Sequence, residues 1–209
     1  LVVFLSVDQF RSDYIERYGD QWTGGLKRLV ADGARFVNAA YPYMNTVTCA
    51  GHATMSTGTF PSTHGMVLNA WFDRTTGRDV PCTEDASTTA IGYNVPEGKA
   101  IGQSAHQLRA HTFADELRGQ ARRAPRIVSL SMKPRSAIML AGRRGDAVVW
   151  FESGTGFTTS TAYTPTPTPF LVTFAKDNPI EKELTGTWTR LLPPEAYLYE
   201  DDAEGEQAP

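Results

Sequence analysis

Leu1-Val2-Val3-Phe4-Leu5-Ser6-Val7 is an apolar run of strand length, and a carboxylate, Asp8, stands directly after it. A run with no polar alternation fits a central parallel strand buried on both faces. Such a strand needs helices above and below its sheet, so the run points to an α/β chain more firmly than any other stretch. In open α/β sheets ligands bind at the carboxyl ends of the strands. Asp8 is therefore a candidate metal ligand, or alternatively the N-cap of a helix over Phe10 to Tyr18.

The rest of the chain keeps the alternation going. Gly24 to Asp32 has Leu26, Leu29 and Val30 at helical spacing and stops at Gly33. Arg35 to Asn38 reads as a strand that Pro42 leads into a loop. A short helix follows from Thr48 to Gly58, then a turn at Pro61 to Gly65, a strand over Met66 to Asp73 and a hairpin-like turn over Arg74 to Arg78. Cys82 to Ser104 shows little periodicity and reads as a long surface or active-site loop, with an insertion around 75–105. Thr112 and Asp115 have the spacing of a capping box opening a helix. Arg126 to Ser131 and Ala147 to Phe151 are further strands, and Ser136 to Ala141 a helix between them. Gly154 to Tyr163 is Thr-rich and extended. Pro165 to Pro169 looks like a linker, yet Pro169 could be the first residue of an element over Phe170 to Phe174. Trp188, Leu191 and Leu192 form a last apolar cluster.

Composition narrows the function classes. A length of 209 residues fits one domain to one and a half, and 41% hydrophobic residues support a packed core. The net charge of −3, without a long basic run, speaks against a nucleic-acid polymer as partner. No apolar stretch is long enough to span a membrane. Opening directly on a strand leads to the expectation of a trimmed leader, and the polar stretch 201–209 closes no element. The two cysteines, Cys49 and Cys82, allow one disulfide or two free thiols.

Four places carry chemistry. Thr48 opens a helix, where its hydroxyl either caps the backbone or faces a cleft at the anion-binding end of the helix. A threonine hydroxyl attacks only when a base or metal lowers its pKa. Asp8 is a hard anionic donor suited to zinc or another divalent ion. Lys133 and Arg135 follow a strand end; they are either a solvated helix start or two cationic grips for phosphate oxygens. Asn69 offers an amide donor. Together these groups fit phosphoryl transfer. His52 and His64 read as structural, and His106 and His111 show no partner spacing.

On these residues the chain resembles the alkaline phosphatase superfamily, in the branch of type I phosphodiesterase/nucleotide pyrophosphatases and threonine-nucleophile alkaline phosphatases. The resemblance lies in Val7-Asp8-Gln9-Phe10-Arg11, Thr46-Val47-Thr48-Cys49-Ala50-Gly51-His52-Ala53-Thr54, Thr57-Gly58 with Pro61 and His64-Gly65, and Asn69, and extends over nearly all 209 residues. It implies a three-layer α/β sandwich with a mostly parallel central sheet, alkaline phosphatase-like and incomplete in this chain. It implies that Asp8 is the first metal-binding aspartate. Thr48 would be the nucleophile, phosphorylated in turnover and also in contact with a metal. Asn69 would bond a phosphoryl oxygen. Lys133 and Arg135 match the Lys-x-Arg element of the monoesterase members, which the diesterase members lack.

The pattern is also broken. The resemblance calls for two zinc ions held by further ligands in an Asp-x-x-x-His element, an Asp-His pair and a late His, and this sequence contains neither of the first two. The expectation is the N-terminal portion of one alkaline phosphatase-like domain, inactive by itself. The parent would be a zinc-dependent phosphate-monoester hydrolase working through a phosphothreonine on phosphorylated small molecules, in the periplasm or secreted. The alternatives are a phosphodiesterase or nucleotide pyrophosphatase on the same fold, or a non-catalytic phosphate-binding fragment.

Overall fold

A computed structural model describes residues 1–93, 100–152, 156–179, 185–187 and 189–200. Seven α-helices and seven strands follow one another along them. Helix α1 is Tyr14–Tyr18, α2 Gly25–Asp32, α3 Thr48–Thr57 and α4 Pro61–His64. Strands β1 (Ala70–Asp73), β2 (Arg78–Pro81), β3 (Glu84–Gly92) and β4 (Ile101–Gln103) come next. Helix α5 (Phe113–Gln120), strand β5 (Val128–Ser131), helix α6 (Pro134–Ala141), strands β6 (Ala147–Glu152) and β7 (Gly156–Ser160), and helix α7 (Pro169–Asp177) complete the order.

The main sheet has five strands in the order β4-β3-β7-β6-β5. Its layers follow from the side-chain alternation of β6. Val148 and Trp150 point to a core shared with Cys49 and Ala53 of α3 and Ile138 and Met139 of α6. Val149 points to the opposite face and packs with Tyr93, Ala175 of α7 and the half-buried Leu171. Helices thus lie on both sides of the sheet, as a three-layer α/β arrangement requires. The sheet is mixed where a mostly parallel one was expected: β5 and β6 are parallel, and the β6–β7, β7–β3 and β3–β4 pairs are antiparallel. The reason is connection length. Helix α6 supplies the crossover that the parallel β5–β6 pair needs, whereas β6 and β7 are separated by too few residues for one.

Local signals placed several elements as the sequence indicated. Thr112 accepts from the Asp115 backbone N–H while the Asp115 carboxylate accepts from the Thr112 N–H, a complete capping box. Gly58 ends α3 in the left-handed conformation, φ 65°, that glycine adopts without a Cβ clash. Pro134 and Pro169 sit in the first turns of α6 and α7, where a missing N–H costs nothing.

Other expectations are corrected. Leu1 to Val7 is not a strand; it has no ladder partner among the described residues, and Leu1, Val2, Val3, Leu5 and Val7 are exposed. It runs beside β5 across a cavity of about 280 Å³ lined by Val2, Phe4, Leu5 and residues 126–131. An apolar run gains burial as a strand only when neighbours take its backbone groups, and here that ladder is not made. Arg35 to Asn38 likewise forms no strand. The helix expected from Phe10 begins at Tyr14, and the strand expected from Met66 begins at Ala70. The Pro61 turn is a single helical turn ended by Gly65 at φ 83°. The stretch read as a loop from Cys82 to Ser104 contains β3 and β4, whose bulge between Asp85 and Thr89 breaks the period-two pattern. The proline-rich stretch leads straight into helix α7. In the last apolar cluster Leu191 and Leu192 are exposed, and Trp188 lies outside the described residues. The two cysteines are paired as a Cys49–Cys82 disulfide.

Candidate functional site

The site gathers where α3 and α6 begin. Val47 precedes α3 and carries no polar group with which to cap it. Thr48 is therefore the first helical residue rather than the cap, and its hydroxyl is turned away from the helix to donate to Asp8 Oδ2 at 3.3 Å. The orphan N–H of Cys49 is taken instead by Asn69 Oδ1, at 2.9 Å. Because an N–H must meet an oxygen, this contact fixes the amide orientation and leaves the Asn69 Nδ2 donor turned away from Cys49. Asn69 is thus a cap supplied from a distant part of the chain, set at the first turn of α3.

Lys133 precedes α6 in extended conformation and reaches Asp8 Oδ2 with Nζ at 3.3 Å. Asp8 thereby receives a hydroxyl from one helix start and an ammonium from another. Burial alone would push its carboxyl pKa up. The Lys133 hydrogen bond and charge, with the Thr48 hydroxyl, outweigh this and hold it below the usual aspartate value. Asp8 is ionised at neutral pH. Its neighbour Gln9 has φ 62°, the one non-glycine with positive φ among the described residues. A side chain in this left-handed region costs roughly 1–2 kcal/mol, and it stands directly after the carboxylate that meets Thr48.

His52, read from the sequence as structural, buttresses the same corner. Its Nδ1 lies 2.8 Å from the Thr48 carbonyl, so Nδ1 carries the proton; Nε2 then accepts from the Ser6 hydroxyl at 3.3 Å. One ring ties the Thr48 backbone to the segment that carries Asp8. His64 is structural throughout: fully buried, with its Nδ1 accepting from Met66 N at 3.1 Å and its Nε2 donating to Thr54 Oγ1 at 3.0 Å. Burial lowers its pKa and keeps it neutral. Thr54 in turn bonds the Tyr43 hydroxyl at 2.6 Å. The sequence held no signal for this Tyr43–Thr54–His64 chain. His106 and His111 do find partners, contrary to their spacing: His106 lies 3.7 Å from Asp85, and His111 2.9 Å from Glu116.

Asp8, Thr48 and Lys133 are in direct contact, and Asn69 joins them through Cys49. Arg135 makes no hydrogen bond to any of them among the described residues. Its Nε is buried without a hydrogen-bond partner among the described residues, a costly arrangement for a guanidinium that an anionic group would relieve. A metal would find two hard oxygen donors here, the Asp8 carboxylate and the Thr48 hydroxyl, with the Lys133 ammonium already on the same carboxylate oxygen. That donor chemistry suits zinc but falls short of the three or four protein ligands a zinc site uses. Among the described residues no group of three or more His, Cys, Asp or Glu side chains is placed to hold a metal ion. No helix among them is long and apolar enough to cross a membrane.

Several known proteins resemble this chain over most of its length. Alkaline phosphatase PhoV of Synechococcus elongatus is 35% identical over 199 residues, which are 94% of this chain and 36% of the relative. Alkaline phosphatase PafA of Elizabethkingia meningoseptica is 35% identical over 211 residues, 99% of this chain and 38% of that protein. The crystal structure of wild-type PafA superposes with a TM-score of 0.86 over 94% of this chain and 38% of its own, at 34% identity. A PafA variant with threonine-to-serine, asparagine-to-alanine, lysine-to-alanine and arginine-to-alanine changes superposes equally well, at 0.86. The chain spans a little over a third of the length of these relatives. The family described as type I phosphodiesterase / nucleotide pyrophosphatase matches residues 2–203, and the chain belongs to that family.

Proposed function

We propose that this chain is the N-terminal portion of one alkaline phosphatase-like domain and carries the nucleophile side of a metal-dependent phosphate-monoester hydrolase. The observation that carries the reading is the meeting of the Thr48 hydroxyl, the Asp8 carboxylate and the Lys133 ammonium at the paired starts of α3 and α6. Two helix N-termini turn their positive ends to one spot, which favours an anion. Thr48 is the nucleophile: its proton points at Asp8 Oδ2, so its remaining lone pairs are available to a phosphorus on the other side. Asn69 Nδ2, Lys133 Nζ and the Arg135 guanidinium bind the non-bridging oxygens while the Thr48 oxygen bonds to phosphorus and the bond from phosphorus to the ester oxygen breaks. The alcohol leaves with the proton Thr48 gave up, and water then cleaves the phosphothreonine to free phosphate and restore the hydroxyl. The changes in the PafA variant support these roles. Its altered threonine and asparagine are as far apart as Thr48 and Asn69, and its altered lysine and arginine flank one residue as Lys133 and Arg135 do.

Asp8 and Thr48 are the residues of this chain that would hold metal, with two zinc ions completed by ligands outside these 209 residues. The bound ions supply Lewis-acid stabilisation of the threonine alkoxide and of the phosphoryl charge. A periplasmic or secreted setting is proposed from the family, and the Cys49–Cys82 disulfide supports an oxidising compartment.

The test is hydrolysis of an aryl phosphate monoester against the matching diester by the full-length protein. A monoester carries one more negative oxygen, so preference for it, reduced by Lys133→Ala and Arg135→Ala, is the expected result. Preference for the diester, with both variants unaffected, would move the protein to the phosphodiesterase side that the family description also names.

A further inference from the structure

Three residues at the edge of the site are joined pairwise. The Cys49 N–H donates to Asn69 Oδ1 at 2.9 Å. The Cys82 N–H donates to the Asn69 main-chain carbonyl at 2.9 Å. Cys49 and Cys82 are bonded to each other. Asn69 directly precedes β1 and Cys82 directly follows β2, and the last ladder pair before them is Ala70 with Pro81. The triangle therefore closes the base of the β1–β2 hairpin and bolts it to the second residue of α3, beside Thr48.

The hairpin needs that bolt. It forms a two-stranded sheet separate from the five-stranded one, and such a ribbon is marginal without support. Phe72 is exposed, and Val80 and Trp71 are the side chains through which it reaches the core. Both cysteines are fully buried, with Cys49 Sγ 3.9 Å from Met66 Sδ. Without the covalent link, the side chain of Asn69 is held on α3 by a single hydrogen bond. A binding group must be held to within about 0.5 Å of its productive position, and one neutral hydrogen bond holds the Asn69 side chain less tightly than a covalent link across the hairpin base does.

We infer that the Cys49–Cys82 disulfide is a positioning element for the reaction, acting through Asn69 to aim its Nδ2 donor at the phosphoryl group. The inference rests on the proposed phosphatase reading and adds to it that the disulfide sets transition-state binding as well as stability.

A double-mutant cycle in the full-length protein tests it. The Cys49→Ala/Cys82→Ala pair is made with Asn69 present and in an Asn69→Ala background. Aryl phosphate turnover and thermal midpoint are measured for each protein, with Thr48→Ala alongside. With Asn69 present the pair lowers kcat/KM about tenfold, the loss falling on kcat; in the Asn69→Ala background it lowers kcat/KM less than twofold. The thermal midpoint falls in both. Should the alanine pair not fold, Cys49→Val/Cys82→Ala, which restores buried volume, takes its place with the same expectations. Equal losses in the two backgrounds, or no loss with Asn69 present, overturn the inference while Thr48-dependent turnover leaves the phosphatase reading standing. Turnover unaffected by Thr48→Ala overturns that reading, and the inference with it.

Discussion

The first seven residues and helix α3 make an instructive pair. Leu1 to Val7 is among the most apolar stretches of the chain, and most of it is exposed. Helix α3, Thr48–Thr57, has no apolar stripe, yet seven of its ten residues are buried. The difference is one of partners. The N-terminal run has apolar side chains but no ladder for its backbone among the described residues. Helix α3 has an internal backbone ladder and an outside cap, Asn69, on its Cys49 N–H, and its small residues let neighbours approach closely. A Cβ on Gly51, for instance, would stand 3.3 Å from the Thr46 carbonyl oxygen. Burial follows satisfied hydrogen bonds and close fit more than hydrophobicity taken residue by residue. The site straddles both regions, with Asp8 at the end of the loosely held run and Thr48 on the encased helix.

The largest effect expected on this contrast is chemical. Thr48→Ala removes a hydroxyl whose partner is Asp8, on the exposed side, so turnover of the full-length protein falls by at least about 10³-fold while the thermal midpoint stays near that of the parent. A variant that unfolds would show that the hydroxyl braces α3 as well. Next comes packing. Ile138 is fully buried against α3 and β6, and Ile138→Ala should cost about 2–5 kcal/mol in urea unfolding. Leu5 is 75% exposed, and Leu5→Ala should cost no more than about 0.5 kcal/mol. Equal costs would mean that the N-terminal run finds a ladder in the whole protein. Thr112→Ala, which breaks the α5 capping box, should cost about 1 kcal/mol by the same measurement; no change would mean that the box is idle.

The smallest effect is electrostatic. Asp8 is held below the usual aspartate pKa, so its ionised form favours the folded state. That contribution is present above the unfolded value and is lost as pH falls through the folded one, that is, below about pH 4. In metal-free protein, carboxyl NMR titration should place Asp8 below its usual value, and Lys133→Met should raise it. No movement would mean that Lys133 does not sit on Asp8 in solution.

What could be read from the sequence was what local chemistry decides. The Thr112–Asp115 box, the ends of helices at Gly33 and Gly58, and the strands near Val128 and Ala147 all carry their signals within a few residues. The β3–β4 hairpin was hidden because its bulge erases alternation. The fate of Leu1 to Val7 was hidden because a strand depends on a neighbour that no local pattern names. The roles expected of Asp8, Thr48, Asn69, Lys133 and Arg135 came from motif resemblance, and their geometry did not. That Asn69 caps α3 from outside the helix, that Lys133 rests on Asp8 and that Cys49 pairs with Cys82 are long-range contacts, invisible to periodicity.

The central claim is that Thr48 takes the phosphoryl group, and trapping that group tests it most directly. The full-length protein would be acid-quenched during turnover of an aryl phosphate and digested, and the peptide containing Thr48 analysed by mass spectrometry. A phosphate on Thr48, absent in Thr48→Ala, is the predicted result. Active turnover with that peptide unmodified, or with the phosphate on another residue, would contradict the account.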